Sequence, residues 1–242
     1  MNKNQIIKLT KNPEGFGNVV DELDTEMFES AVPSQHTHMV YEDEAEGIYV
    51  GVWDTTDMIE VAGAYPCDEF MFLLDGEAVI KNNQTGLLET VIAGEGFVIP
   101  KGYDCQWQQT GYLRKFFIIS EHPDESIPAK PTYEHIVYFN EQVKTTTPLN
   151  KTSDGHQKQA LYTDPQDRFF SGIWTSGAFS TEPMSFPYHE FMVINDGSLI
   201  CIDENNVKHT FTVGDAVFMP KNTLCTWQVK DKVSIYYTQI KN

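Results

Sequence analysis

The chain has 242 residues, 40% of them hydrophobic and 12% aromatic, with 35 acidic side chains against 17 basic ones and a formal charge of -18. A charge of that sign repels phosphate backbones and anionic lipid, so nucleic acid and membrane surfaces are excluded as partners. No apolar run approaches the ~20 residues of a membrane helix, and the first eight residues lack the apolar centre of a signal peptide. The four cysteines show no CxxC spacing, which argues against a disulfide framework and for a cytoplasmic location.

Ile6-Ile7-Lys8-Leu9 reads as a short strand ended by Asn12-Pro13 and two glycines. Residues 20–35 are acidic and irregular, with one helical turn expected over residues 22–28. His36-Thr37-His38 places two imidazoles on one face of a strand, yet no further ligand stands nearby in sequence, so an exposed histidine pair is expected. From residue 39 onward the pattern is strands and tight turns. Residues 48–53 and 70–74 are rich in β-branched and aromatic side chains, Asp75-Gly76 is a turn signal, and Asn82-Asn83-Gln84-Thr85-Gly86 is a hairpin loop. Gly94, Gly96, Pro100 and Gly102 punctuate the strands that follow, and residues 113–119 supply a last apolar strand. Residues 121–131 carry Pro123, Pro128 and Pro131 among charges and read as a linker. Residues 133–139 then restart the scheme in the place of residues 6–9.

The chain writes its central stretch twice. Pro66-Cys67-Asp68-Glu69-Phe70-Met71 returns as Pro187-Tyr188-His189-Glu190-Phe191-Met192, and Asp75-Gly76 as Asp196-Gly197, at an offset of 121. Gly94, Pro100-Lys101 and Cys105-Gln106-Trp107-Gln108 are answered at an offset of 120 by Gly214, Pro220-Lys221 and Cys225-Thr226-Trp227-Gln228. Gly51-Val52-Trp53 pairs with Gly172-Ile173-Trp174. An offset of half the chain makes the repeat account for all of it, as two domains of ordinary size. Short strands with Gly and Pro punctuation and no long helical period indicate small barrels or sandwiches. The expected architecture is all-β: residues 1–122 as the first domain, 123–131 as linker, and 132–242 as the second domain.

These residues resemble the cupin superfamily, arranged as a bicupin, whose motifs run G(X)5HXH(X)3-4E(X)6G and G(X)5PXG(X)2H(X)3N. Glu69 with Gly76, and Glu190 with Gly197, match the end of the first motif. Gly94, Pro100 and Gly102 match the second, as do Gly214 and Pro220, with Asn222 in place of the glycine. The Gly-x-Trp lead-in is most similar to cupins related to (S)-ureidoglycine aminohydrolase. The resemblance implies two antiparallel jelly-roll barrels and a metal held inside one. The HXH positions, however, are Gly63 and Tyr65 in one copy and Met184 and Phe186 in the other, and the second-motif histidine is Cys105 or Cys225. The ligand set is therefore degenerate, and no cofactor is expected, with a divalent metal held in an unusual sphere as the open alternative.

By the family frame, Tyr65, Glu69, Cys105 and Trp107 face the interior of the first barrel, with Cys67 in the turn at its mouth. The matching set in the second copy is Phe186, Glu190, Cys225, Trp227 and Tyr188, which is greasier, so the site is expected in the first half. Glu69 has two readings: a general acid or base in an apolar barrel, or a buried carboxylate satisfied by a Tyr hydroxyl or Trp N–H. Cys105 is read as a small core residue. Lys115 either points inward, to pair with Glu69 or to hold a substrate carboxylate, or stands on an exposed strand face. His189 neighbours Glu190, so alternation points it outward. The expected function is binding of a small organic molecule in the first barrel, without an obligatory metal, by Trp53, Tyr65, Cys67, Cys105, Trp107 and Lys115, with Glu69 as the candidate catalytic group. The alternatives are a cupin enzyme acting on a small metabolite and a structural or storage-like bicupin. A homodimer is left open, and the second barrel is expected to be mainly structural.

Overall fold

The computed structural model describes residues 5–121, 133–140, 150–151 and 156–241, the last pair before 156 by backbone alone. The expected linker at 123–131 lies outside them. Among the described residues the structure is antiparallel β throughout, apart from a 3-10 turn over Thr25–Met27. Asp24 caps that turn by accepting the Glu26 N–H at 2.9 Å, in the place where sequence expects one helical turn.

The chain forms two compact units, residues 11–140 and residues 1–10 with 141–242. In the first, a sheet runs in the order Val137–Phe139, Gly96–Ile99, Asp68–Asp75, Leu113–Ser120, Ile48–Thr55, Gln35–Asp43. Facing it are Met58–Ile59, Asp104–Gln109, Glu77–Asn82 and Leu88–Ile92, with Gly63–Ala64 also paired to Asp104–Gln109. Alternation is clean on Glu77–Asn82, which buries Ala78, Ile80 and Asn82 and turns the residues between them outward. Asp68–Asp75 is buried along nearly its whole length because side chains cover both of its faces. Met71, Leu73, Ile80, Phe97, Tyr103 and Trp107 belong to the core between the sheets.

In the second unit the same scheme is drawn with longer strands. His189–Asp203 and Leu224–Ile240 run side by side, with register shifts near Asn195 and between Gly197 and Ile200, where the first unit breaks its strand at Gly76. Phe186, Met192, Leu199, Phe211, Trp227 and Ile235 belong to its core. Asn222, which replaces the motif glycine, takes φ 69° where Gly102 takes 82°. Asn enters that left-handed region more readily than other side-chain-bearing residues, so the substitution keeps the turn.

Two short strands change places relative to the expected boundaries of 1–122 and 132–242. Ile7–Leu9 pairs with Ala216–Met219, in the second unit. Lys8 binds Asp215 at 2.8 Å, and Leu9 is fully buried. Val137–Phe139 pairs with Gly96–Ile99, in the first unit. It is held there by polar groups as well as packing. Asn82 Nδ2 donates to the Glu134 carbonyl at 2.9 Å, buried Glu89 accepts the Ile136 N–H at 3.3 Å, and the Phe139 ring meets Phe70 edge-on at 5.2 Å. Each unit thus completes a sheet edge with the segment that sequence order assigns to the other, which removes an edge that would otherwise stay unpaired.

The two histidines expected to be exposed are not. His36 Nδ1 lies 2.7 Å from Asp54 Oδ1, and its ring meets Phe16. Asp54 also accepts from Tyr112 Oη at 2.6 Å and from Arg114 Nη2 at 3.0 Å. Burial pushes the Asp54 carboxyl up, but the hydrogen bonds from Tyr112, His36 and Arg114 outweigh it and hold it below its ordinary value.

Candidate functional site

The first unit encloses a cavity of about 470 Å³. Its lining includes Tyr65, Cys67, Glu69, Cys105 and Trp107, five of the residues expected from sequence, together with Glu60. The family frame explains why they converge. Gly63 stands opposite Cys105 across paired strands, as Met184 stands opposite Cys225 in the second unit, so the motif positions meet although their side chains are no longer imidazoles.

Glu69 is held on both oxygens. Lys115 Nζ lies 2.8 Å from Oε1, and the Tyr65 hydroxyl donates to Oε2. The register shows how Lys115 arrives. It faces Leu73 across the sheet while Glu69 faces Ile119. The lysine stem therefore runs along the interior face past Met71, whose sulfur lies 3.0 Å from Nζ. Residues 69, 71 and 73 share that face by strand alternation. The ammonium also sits 4.7 Å over the Trp53 ring and 5.2 Å over Trp107, a favourable place for a desolvated cation. Of the two readings of Lys115, the inward one describes the structure. Trp53 and Lys115 stand outside the cavity lining itself. Trp107 Nε1 donates to Gln109 Oε1 at 3.1 Å, so it is the Tyr hydroxyl and not an indole that serves Glu69.

The thiols are inert by environment. Burial pushes Cys105 up to about 12 and Cys67 well above its ordinary value, with Glu69 adding to the latter. Neither offers a thiolate at neutral pH. Burial likewise raises the Tyr65 hydroxyl, with the Glu69 charge next in effect.

Glu60 is the group that sequence reasoning missed. It lies on the cavity wall, and its carboxylate meets no donor among the described residues. Its main chain is bound: the N–H donates to the Trp107 carbonyl at 3.0 Å, and its carbonyl accepts Gln106 Nε2 at 2.9 Å. Burial pushes its carboxyl up to about 7, the Lys115 charge opposing and Glu69 reinforcing. Nothing in the motif spacing points to it, because it falls at a variable position of the first motif and has no counterpart in the repeat; Thr181 stands at the matching position of the second copy.

A divalent cation does not fit this donor set. Gly63 has no side chain, the Cys105 thiol is held protonated, and the one carboxylate of the frame already pairs with an ammonium. Among the described residues no group of three or more His, Cys, Asp and Glu is placed to hold a metal.

In the second unit, expected to be mainly structural, a cavity of about 310 Å³ opens beside Glu190. His189, expected to point outward, does leave that interior but does not reach solvent. It is buried on the other face, stacked on Phe218 at 5.9 Å.

Residues 163–237 match the model of a EutQ-like cupin domain. No curated protein matches the sequence. A protein of unknown function from Pseudomonas syringae pv. tomato str. DC3000, belonging to the DUF861 family, superimposes with a TM-score of 0.76 at 19% identity, over 98% of this chain and 99% of its own. Ylba from E. coli, also of DUF861, gives 0.60 at 13% identity over 99% and 92%. A salicylate 1,2-dioxygenase from Pseudaminobacter salicylatoxidans gives 0.58 at 9% identity over 84% and 76%. The chain is similar to these proteins in fold, a nearly all-β jelly-roll architecture of antiparallel sheets. Among the described residues no helix is long and apolar enough to cross a membrane.

Proposed function

We propose that this protein is a bicupin that binds a small organic molecule in its first barrel without an obligatory metal. One observation carries the reading: the 470 Å³ cavity presents a carboxylate, Glu60, that no donor among the described residues pairs. That volume lies within the ~300–1,000 Å³ usual for small-ligand sites. The aromatic and aliphatic walls supply apolar contact, and Glu60 answers a donor on the ligand. Glu69, tied to Lys115 and Tyr65, acts as a fixed strut that shapes the wall and keeps the lysine charge buried.

The test is to crystallise the full chain from its producing cells and to screen it by thermal shift against a panel of small metabolites, alongside Glu60→Gln. The expected result is a defined organic molecule against Glu60, with its binding weakened at least about tenfold in the variant. A cavity holding only water, with no stabilising compound across the panel, would rule the reading out.

A second reading, acid–base catalysis on that molecule, is favoured by Glu60 rather than by Glu69. A carboxyl poised near 7 and without a hydrogen-bond donor among the described residues is equipped to take and return a proton. It requires turnover that follows the ionisation of Glu60 and disappears in Glu60→Gln. The likeness to ureidoglycine aminohydrolase-type cupins gives that reading a reaction class, hydrolysis of a small nitrogenous metabolite, but Gly63, Tyr65 and Cys105 stand where the cupin motifs carry histidines.

A further inference from the structure

The cavity of the second unit is a built site rather than a packing gap. Trp174, Phe179, Phe186 and Trp227 wall it, with Trp174 meeting Trp227 edge-on at 5.7 Å and Phe186 lying tilted against Trp227 at 5.2 Å. Its polar groups form a line. Lys158 Nζ donates to Gln239 Oε1 at 3.1 Å, and Gln239 Nε2 donates to Glu190 Oε2 at 2.7 Å. Here an amide separates ammonium from carboxylate, whereas in the first unit Lys115 and Glu69 neutralise one another directly.

The register accounts for the difference. The position of Lys115 is taken by Ile235, which faces Trp174 as Lys115 faces Trp53. The cation has moved to the neighbouring strand, where Lys158 stands opposite Trp174. It lies over the Tyr237 ring at 4.1 Å and has donors left after serving Gln239. At about 310 Å³ the space is near the lower bound for small-molecule sites, room for a single ring with one polar substituent.

We infer that the second barrel binds a small planar carboxylate, its carboxylate on Lys158 and its ring against the aromatic wall of Trp174, Phe179, Phe186 and Trp227. This site is separate from the one in the first barrel and does not rest on that reading. An amine of the same size would have to face the Lys158 charge, whereas a carboxylate takes the donors that Lys158 has left, with Gln239 standing between it and Glu190.

The experiment is calorimetric titration of the full chain with sodium benzoate and with benzamide, its uncharged isostere, together with a crystal structure of the benzoate complex. Benzoate is expected to bind, with density in the second barrel and its carboxylate within hydrogen-bond reach of Lys158 Nζ. Benzamide is expected to bind at least about tenfold more weakly, and Lys158→Met to lose benzoate by a similar factor while keeping its melting temperature. Should Lys158→Met not fold, Lys158→Gln serves, and the benzoate–benzamide ratio on the unmodified chain reads the same charge requirement. Equal binding of the two probes, no binding of benzoate at millimolar concentration, or benzoate density confined to the first barrel would each overturn the inference. The last result would leave the first-barrel reading intact, and density in the second barrel alone would separate the two in the opposite sense.

Discussion

Lys115 and Glu69 enter the first barrel on neighbouring strands and meet 2.8 Å apart, both almost wholly removed from water. In the sequence frame of a metal-binding cupin, the glutamate would face a cation bound from solution. Here the cation is covalently part of the chain, and its charge is balanced inside the fold. Removing one partner therefore strands the other.

Lys115→Met is expected to cost about 3–5 kcal/mol, since it leaves a buried carboxylate without its counter-charge. Lys115→Met combined with Glu69→Gln should recover more than half of that loss. Urea denaturation at neutral pH measures both. A loss below about 1 kcal/mol in the single variant would mean that water reaches Glu69 after all.

Stability should fall as pH rises from about 4.5 to 7. Burial pushes Glu190 up to about 7 from 4.5, with the Gln239 hydrogen bond and the Lys158 charge only partly opposing it. The native state then holds a proton that the unfolded chain releases, so the contribution is complete below the unfolded value and lost as pH passes through the folded one. Glu60 acts in the same direction. Glu190→Gln should flatten part of this slope and gain about 2–4 kcal/mol over the unmodified chain at pH 8. Denaturation midpoints across this pH range decide it; an unchanged slope would show that Glu190 titrates normally.

Asp54 should produce an opposite limb in acid. Its carboxyl is held low by Tyr112, His36 and Arg114 against the effect of its burial. The stabilisation is present above the unfolded value, near pH 4, and disappears as pH falls through the folded value. Tyr112→Phe removes one of its donors and is expected to cost about 1–2 kcal/mol at pH 7 and to shrink the acid limb. Equal acid sensitivity in the variant would place the cause elsewhere.

Two motif glycines should respond differently to alanine. A Cβ at Gly197, φ 74°, would lie 2.0 Å from the Lys232 carbonyl oxygen, whereas at Gly214, φ 83°, it would meet nothing within 4 Å. Gly214→Ala bears only the backbone cost of about 1–2 kcal/mol. Gly197→Ala must also displace a strand and should lose about 4 kcal/mol or more. Thermal melts of the pair rank them; similar losses would mean that the sheet yields freely at Gly197.

Metal should be dispensable to the fold. Prolonged treatment with a chelator is expected to leave the melting temperature unchanged, and added manganese or zinc to raise it by no more than it raises that of an unrelated protein. Stoichiometric metal in the purified protein, or a chelator-induced drop in melting temperature, would contradict the assignment of Lys115 as the partner of Glu69.

The sequence by itself determined the repeat, the all-β architecture and the identity of the residues around Glu69, because each rests on local signals. Strand alternation, turn glycines and motif spacing are short-range, and Gly76, Gly94, Gly197 and Gly214 all take the positive φ their turns require. The tertiary structure alone decided where charges meet and which edges are covered. Ile7–Leu9 and Val137–Phe139 carry strand patterns that suit either unit, and only the open sheet edges, with Asn82 and Glu89 as anchors for the second of them, select between the two. Glu60 stands at a variable position that no motif specifies; its placement depends on pairing with strands distant in the sequence. The second cavity was equally illegible, since its lysine lies on a different strand from the one in the first unit. Pairing between distant strands sets burial and counter-charge, and those quantities have no footprint in any local stretch of the chain.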